Sequence, residues 1–271
     1  MTTFAPDIVT PKPKTASVSV ILPVMIREPW QAVMSTACIE VMRATTTIPL
    51  ELIVVHTLTS GPSWHPDDEM DGVRVLQQLS RTTYVNDFNV GLEAATGDYV
   101  VQTGNDIFTQ PGWLEALLEC FEKYPDCGAA SLGTHEGGGL SHRPAPFIVE
   151  GWYDPLMMWR KRVRDSEQGD YTEELPRDLW RLDEAYAGCF STSDLIMRLY
   201  TAGYRCYRNH RVVCSHIGQQ TWSDEEMNVV RPAATKLFIE RWGNSPLWAA
   251  TMILAGSVHF GREFMRGQHP A

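Results

Sequence analysis

The chain has 271 residues, enough for one large domain or two smaller ones, and 44% of them are hydrophobic and 21% charged. This composition is that of a globular protein and excludes disordered, collagen-like and coiled-coil chains. With 23 basic and 33 acidic residues the net charge is −10, the wrong sign for a protein that holds nucleic acid by neutralising its phosphates.

Alternating strand and helix signals in the first half of the chain predict an α/β fold. Short β-branched apolar runs are followed by segments in which apolar residues recur with helical spacing. The run at residues 50–56 is continuously apolar, as in a parallel strand that is covered on both faces. In chain order we predict strands at residues 17–23, 50–56, 73–76 and 98–103 and helices at residues 30–43, 86–95 and 111–124.

The second half of the chain carries weaker signals. Residues 133–139 are rich in glycine but lack the lysine of a phosphate-binding loop, so we predict a flexible loop. The charged residues 161–176 are predicted to form a solvated surface helix, with a mobile lid over a site as the alternative. Residues 246–260 are apolar but shorter than a membrane span. We expect a buried or partner-facing helix there, with a membrane-surface helix as the alternative.

Cysteine usage and the N-terminus indicate a cytoplasmic protein. The six cysteines are widely spread without a C-x-x-C pair, which is the pattern of reduced thiols, so we expect no disulfide bond. Residues 1–16 contain three prolines and no apolar block of the length that a signal peptide requires. We expect this segment to be a flexible tail.

An acidic turn follows the strand predicted at residues 98–103. Gly104, Asn105 and Asp106 stand directly after it, before a helix that begins near Pro111. Ligands of open α/β sheets bind at the carboxyl ends of the strands, so this position makes Asp106 a candidate binding residue. The structural alternative is an Asn-Asp turn that caps the following helix.

Nine sequence blocks between residues 17 and 243 resemble, in the same order, those of family 2 glycosyltransferases with the GT-A fold. The blocks are SVILPV (19–24), ELIVV (51–55), NVGLEAATGDYV (89–100), GND (104–106), PGWLEALLECF (111–121), LDEAY (182–186), DLIMRLYTAGYR (194–205), SHIG (215–218) and FIERWG (238–243). The resemblance implies a Rossmann-like, mostly parallel central sheet flanked by helices. It also implies a GT-A domain over residues 17–243, with a donor half at 17–132, an acceptor half at 133–243 and a C-terminal helical extension at 244–271.

The same resemblance implies inverting transfer of a sugar from a nucleoside diphosphate sugar, assisted by Mn²⁺ or Mg²⁺. A divalent cation stabilises the negative charge that the leaving diphosphate gains as the glycosidic bond breaks. Asp106 matches the metal-binding acid of the family, and His216 matches a histidine that some relatives use as a further ligand. Neutral imidazole suits Mn²⁺ better than Mg²⁺. The alternative for His216 is a hydrogen-bonded core residue.

A structural zinc site is a further idea for the same region. Its ligands would be Cys206, His210, Cys214 and His216. An extended run from residue 206 to residue 216 spans ~33 Å at about 3.3 Å per residue, so four ligands converge on one ion only if the chain folds sharply between them. We therefore expect no zinc site here unless a turn forms near residues 208–210.

The donor side departs from the family pattern. By resemblance, the nucleotide sugar is expected to contact Pro23, His56, Asn89, Gly104 and Asn105. Relatives usually have two aspartates after the second strand, where this chain has His56 and Thr57, and an arginine where this chain has Phe88. The sequence therefore leaves the identity of the nucleotide open. Asn89 either reaches the nucleotide or fixes the start of its helix.

The catalytic base is also altered. An inverting enzyme needs a carboxylate that takes the proton of the acceptor hydroxyl. Relatives supply it from a Glu-Asp-x-Asp stretch at the start of a helix, and here that stretch reads STSD at residues 191–194. We predict Asp194 as the base, with Asp183 and Glu184 as substitutes. The alternative is that residues 191–194 only cap the helix and place a favourable charge in its first turn.

Several acceptors and two other functions stay open. Trp152, Tyr153, Trp159 and Trp180 are candidates for stacking on sugar rings, and Trp152 is kept as the candidate. The acceptor is a glycan, a protein or a small molecule, with modified nucleic acid not excluded, and the C-terminal helix offers a surface for a homo-oligomer. The altered residues favour, as an alternative, a protein that binds a nucleotide sugar or a partner without turnover. Nucleotidyl transfer is disfavoured, because residues 23–29 lack a glycine-rich basic loop.

Overall fold

A nine-stranded sheet forms the centre of the protein in a computed structural model, which describes residues 16–58, 64, 70–78, 83–136, 148–150, 155–164, 171–218 and 224–245. The described strands are β1 (Val18–Met25), β2 (Glu51–Thr57), β3 (Val73–Gln78), β4 (Tyr99–Gln102), β5 (Ile107–Phe108), β6 (Cys127–Glu136), β7 (Ile148–Glu150), β8 (Met157–Arg160), β9 (Arg162–Arg164), β10 (Tyr171–Glu174) and β11 (Arg205–His216). The described helices are α1 (Pro29–Ala44), α2 (Tyr84–Ala94), α3 (Trp113–Lys123), α4 (Ser191–Thr201) and α5 (Asp224–Trp242).

The sheet has a parallel half and a mixed half. Its strand order is β3-β2-β1-β4-β8-β6-β11-β5, and β7 pairs with β11. Strands β1 to β4 pair in parallel. Strand β8 is antiparallel to both β4 and β6, and β6 is parallel to β11. Because β8 reverses the direction twice, β4, β6 and β11 run the same way and their carboxyl ends lie at one edge of the sheet.

Helices cover both faces of this sheet. Helices α1 and α3 pack with alternate residues of β1 and β2 in one hydrophobic core. Helices α2, α4 and α5 pack with the intervening residues in a second core on the other face. This arrangement explains why β2 is apolar without interruption, since each of its faces meets a helix layer.

Local sequence signals start the helices on the parallel half. Helix α1 has proline at its first position, and Glu28 and Gln31 form a capping box around its start. The Thr83 hydroxyl accepts a hydrogen bond from the Asn86 backbone N–H at 3.2 Å and so caps α2. The strands and helices predicted for the first half of the chain are confirmed, with ends within two residues of the predicted ones.

Two predictions for the second half are wrong. Residues 133–136 are not a loop, because Gly133 to Glu136 extend β6 and pair with the end of β11. Residues 161–176 are not a surface helix: β9 and β10 pair as antiparallel strands within this segment. In both segments strand pairing decides the conformation, with distant β11 for the end of β6 and between neighbouring β9 and β10 for residues 161–176, and local composition does not show it.

The sequence also carries predictions for the two chain ends and for the cysteine thiols. Residues 1–15 and 246–271, and with them most of the predicted tail and C-terminal extension, lie outside the described residues. All six cysteines are free thiols in this structure. No helix in the described part of the chain is long and apolar enough to cross a membrane.

Substitution of Gly91 with alanine is expected to lower the free energy of unfolding by about 1–3 kcal/mol, the usual cost of overpacking a core. A Cβ at this position would lie 2.4 Å from Ile21 Cγ2 and 3.1 Å from Val55 Cγ2, where α2 approaches the sheet. Gly188→Ala is the matched control, because a Cβ there meets no atom within 4 Å. Urea unfolding measures both, and equal stabilities would contradict the prediction.

Candidate active site

Asp106 and His216 meet at the carboxyl edge of the sheet. Strand β4 ends at Gln102, and the turn that follows carries Asp106 into β5. The last residues of β11 pair with β5, so His216 lies opposite Ile107, the neighbour of Asp106. The His216 Nε2 atom is 3.4 Å from Asp106 Oδ2, and the Ile217 backbone N–H donates to the Asp106 carbonyl oxygen at 3.0 Å. Two residues far apart in the sequence thus form one polar pair.

The residues before Asp106 shape its turn. A Cβ on Gly104 would lie 2.6 Å from Asp106 Oδ1, so glycine leaves room for the carboxylate. The Asn105 side chain is buried and donates from Nδ2 to Ser35 Oγ of α1 at 2.9 Å. The Cys38 thiol donates to the Ile107 carbonyl oxygen, and burial raises its pKa to about 12. Asn105 and Cys38 therefore anchor the turn to α1.

The Asp106 and His216 pair fits a divalent cation. Two donor atoms 3.4 Å apart are close enough to occupy neighbouring positions of one octahedral ion. Of the two cations, Mn²⁺ accepts a carboxylate together with an imidazole more readily than Mg²⁺ does. Within the described ranges no cluster of three or more His, Cys, Asp or Glu side chains gathers as metal ligands. The pair would therefore hold a cation only together with other ligands, such as water or the oxygens of a diphosphate.

The end of β2 forms a second part of the same edge. His56 is buried, and its ring meets the edge of the Trp64 ring at 5.5 Å between centroids. The hydroxyl of Thr57 donates to Asp87 Oδ2 in the first turn of α2 at 2.7 Å. Pro23 is buried in β1 and pairs with Val55. The predicted donor residues Pro23 and His56 thus lie on adjacent strands near the carboxyl edge.

Asn89 holds a loop. Its Nδ2 atom donates to the Leu182 carbonyl oxygen at 3.0 Å, and its Oδ1 atom accepts from the Leu182 backbone N–H at 3.1 Å. The same Nδ2 atom also reaches Glu184 Oε1 at 3.2 Å. Both ends of the Asn89 amide are therefore engaged by the segment at 182–184, so the structure places it as an anchor of this segment.

Asp194 lies in a buried network instead of facing the edge of the sheet. Its side chain is 1% exposed and its Oδ2 atom accepts from Arg198 Nε at 2.8 Å. Its Oδ1 atom accepts from Trp242 Nε1 at 2.8 Å, and Arg241 Nη1 and the Tyr186 hydroxyl lie at 3.4 Å. Both oxygens are thus occupied by donors. These contacts leave neither oxygen open to an acceptor hydroxyl, so the role of Asp194 as the base stays a prediction that the geometry does not support.

The two substitute bases are more exposed but are held by arginines. Burial alone would raise the pKa of Asp183, but hydrogen bonds from the Ala185 N–H and the Arg241 guanidinium outweigh it and lower the pKa. Glu184 shows the same balance, because hydrogen bonds from Asn89 and Arg181 outweigh burial and lower its pKa. A carboxylate with a lowered pKa is a weaker general base.

The start of α4 presents hydroxyls. The Thr192 hydroxyl donates to Gln102 Oε1, at the end of β4, at 2.8 Å, and the Ser191 hydroxyl donates to the Gly188 carbonyl oxygen at 3.3 Å. Residue Phe190, immediately before the helix, has a positive φ of 64° and makes no side-chain cap. The N-cap is therefore Phe190 and not a residue of the 191–194 stretch, whereas Asp194 does place an acidic side chain in the first turn of α4.

The remaining aromatic and zinc candidates have structural roles where the structure describes them. Trp159 donates from Nε1 to the Trp180 carbonyl oxygen, and Trp180 donates to the Leu175 carbonyl oxygen, both at 2.9 Å inside the core. Neither ring is available to a sugar, whereas Trp152 and Tyr153 lie outside the described residues. Cys206 and Cys214 belong to the two different cores on opposite faces of the sheet. This separation excludes the four-ligand zinc arrangement.

Sequence reasoning missed three contributors to this region. Asp87 is a buried carboxylate in the first turn of α2 and accepts a hydrogen bond from Thr57 at the end of β2. Its only signal in the sequence is an acidic side chain near the start of a predicted helix. Arg241 and Trp242 reach Asp194 from the last turn of α5, 47 and 48 residues along the chain. Local spacing carries no signal for these contacts.

Comparison with known proteins gives a family. The family model described as glycosyl transferase family 2 matches residues 19–174. No curated protein matches the chain.

Solved structures with a similar fold include three with bound nucleotides. S. aureus TarS 1-349 in complex with UDP-GlcNAc is 14% identical with a TM-score of 0.55, over 82% of this chain and 66% of that one. The mannosyltransferase PcManGT from Pyrobaculum calidifontis in complex with GDP-Man and Mn²⁺ is 14% identical with a TM-score of 0.54, over 93% and 83%. GalNAc-T7 with UDP, GalNAc and Mn²⁺ is 12% identical with a TM-score of 0.57, over 85% and 48%.

These neighbours confirm the predicted GT-A fold, in which helices flank a curled central sheet. The family match covers more than half of the chain and includes β1 to β4 and the turn that carries Asp106. The chain therefore belongs to glycosyl transferase family 2.

Proposed function

We propose that the protein transfers a sugar from a nucleoside diphosphate sugar to an acceptor hydroxyl, with inversion and with a divalent cation held by Asp106 and His216. The observation that carries this proposal is the 3.4 Å approach of His216 Nε2 to Asp106 Oδ2 at the carboxyl edge of β4. The donors bound to the structural neighbours, UDP-GlcNAc and GDP-Man, and the Mn²⁺ in two of them support it.

The proposed cation ligands come from both halves of the domain. When bound, the cation supplies positive charge that stabilises the leaving diphosphate. Asp106 from the donor half and His216 from the acceptor half would hold it, and Gly104 and Asn105 keep the Asp106 carboxylate in place. Pro23 in β1 and His56 in β2 lie on neighbouring strands, and we propose that the nucleotide binds at the carboxyl ends of these strands.

Binding of a nucleotide sugar without turnover is the second candidate function. The STSD stretch has no carboxylate where relatives carry two, and Asp194 is fully engaged inside the protein. Of the predicted bases, only Asp183 and Glu184 have substantial exposure, with side chains 32% and 43% exposed, and both have a lowered pKa. A weak base favours slow or absent transfer.

One pair of measurements tests the proposal and separates the two functions. Thermal shifts with UDP, GDP, ADP and CDP and their sugars, each with and without Mn²⁺, report which donor stabilises the native state. A prolonged assay follows donor consumption, and the anomeric proton signal of the product reports inversion. Turnover with an inverted product supports transfer, and binding without any turnover supports the second function. Failure to bind any of these donors contradicts both, and binding or turnover that does not depend on Mn²⁺ contradicts the cation site.

A further inference from the structure

Asp194 connects the first turn of α4 to the last turn of α5. Its Oδ1 atom accepts the indole N–H of Trp242 at 2.8 Å and lies 3.4 Å from Arg241 Nη1. Arg241 also pairs with Asp183 and lies over the Tyr186 ring, 5.5 Å from its centroid. The hydrogen bond that Arg241 donates to Asp183 raises the pKa of Arg241, which therefore stays charged. A buried negative charge is thus balanced by cations from two helices.

The same turn of α4 touches α5 a second time. Phe190 precedes the helix with a φ of 64°, a left-handed conformation that is strained for a non-glycine residue. Its ring packs against Phe238 of α5 at 5.2 Å between centroids. Helix α5 therefore contacts the turn on both sides of residues 191–193.

On its other side the turn contacts the strand that leads to Asp106. Thr192 lies between Phe190 and Asp194, and its hydroxyl donates to Gln102 at the end of β4 at 2.8 Å. Strand β4 continues through the Gly104 turn to Asp106. The Thr192 hydroxyl therefore lies beside the end of β4, the strand that leads to the proposed cation site.

We propose that Asp194 is a positioning residue: through Arg241 and Trp242 it uses α5 to fix the first turn of α4 against the acceptor side of the site. This inference rests on the proposed function. Asp194 makes no contact with Asp106 or His216 among its hydrogen bonds. Loosening the turn is therefore expected to slow the reaction and to leave binding of the nucleotide and metal intact.

Two variants test this inference on the full-length protein. Trp242→Phe removes the indole N–H that Asp194 accepts and leaves a smaller aromatic ring, whereas Asp194→Asn removes the charge. Hydrolysis of UDP-GlcNAc in the presence of Mn²⁺ is expected to slow at least about tenfold in both. The dissociation constant for UDP with Mn²⁺ is expected to change less than about twofold. Lys236→Gln, on the exposed side of α5, is the control and is expected to match the wild type.

The pH profile distinguishes positioning from proton transfer. If Asp194 only positions the turn, both variants lower the rate at every pH and keep the shape of the profile. If Asp194 is the base, Asp194→Asn removes the acidic limb and Trp242→Phe has little effect, which would overturn the inference.

Hydrogen exchange gives a readout that does not depend on activity. The peptide over residues 188–196 is expected to exchange faster in Trp242→Phe, while the peptide over residues 103–108 keeps its protection. Unchanged protection of residues 188–196 overturns the inference even if the wild type neither binds nor hydrolyses a nucleotide sugar. That last result alone would overturn the proposed function, so the two failures are distinguishable.

Discussion

Asp106→Asn is expected to weaken the binding of UDP in the presence of Mn²⁺ by about 100-fold, because the substitution removes the charged ligand from the pair that holds the cation. The amide keeps the shape of the side chain, so the turn at Gly104 is preserved. Titration calorimetry with and without Mn²⁺ measures the effect. Binding in the absence of the metal is expected to be the same in variant and wild type.

A matched control and the partner residue sharpen this test. Asp178→Asn changes an exposed aspartate away from the pair and is expected to leave binding unchanged. His216→Ala is expected to weaken binding with Mn²⁺ by about tenfold and with Mg²⁺ by less, because imidazole is a better ligand for Mn²⁺. Combining the Asp106 and His216 substitutions is expected to cost less than the sum of the two, since residues in contact share one interaction. Independent effects, or equal losses with both metals, would contradict the shared cation site.

The parallel half of the fold is readable from the sequence because its signals are local. Strand β2 is a continuous apolar run, and α1 has proline and a capping pair at its start. Each element can therefore be predicted from a few neighbouring residues. Asp106 is predicted as a binding residue for the same reason, since a turn at the carboxyl end of a buried strand lies at the edge of the sheet where ligands bind. His216 depended on the family resemblance, because only the pairing of β11 with β5 brings it to Asp106.

Contacts between distant segments leave no local signal in the sequence. The end of β6 looked like a loop because its glycines are permissive, and pairing with β11 decides its conformation. Asp194 looked like a base because it is the last acid of the STSD stretch. Its environment comes from Arg241 and Trp242, which reach it only because α5 folds back over α4. A carboxylate at a helix start has the same sequence signature whether it faces solvent, substrate or an arginine.

Lys161→Met is expected to lower the free energy of unfolding by about 3 kcal/mol, the sum of unsatisfied carbonyls and a lost charge at a helix end. The Lys161 side chain is 5% exposed. Its Nζ atom donates to the carbonyl oxygens of Leu92 and Ala95, at 3.1 and 2.8 Å, where α2 ends. It also lies 4.8 Å from the centroid of the Trp180 ring and 3.6 Å from Glu174 Oε1. Methionine fills the space but supplies no donor.

Urea unfolding measures this loss against Lys236→Met, an exposed lysine of α5 for which the change is expected to stay within about 0.5 kcal/mol. Equal stability of the two variants would mean that the carbonyls at the end of α2 find other donors. Lys161 directly follows β8 in the chain, and its ammonium binds the carbonyl oxygens at the C-terminus of α2. It therefore connects the antiparallel strand β8 to a helix of the parallel half. Loss of this contact is therefore expected to expose the end of α2 to faster hydrogen exchange before the sheet itself opens.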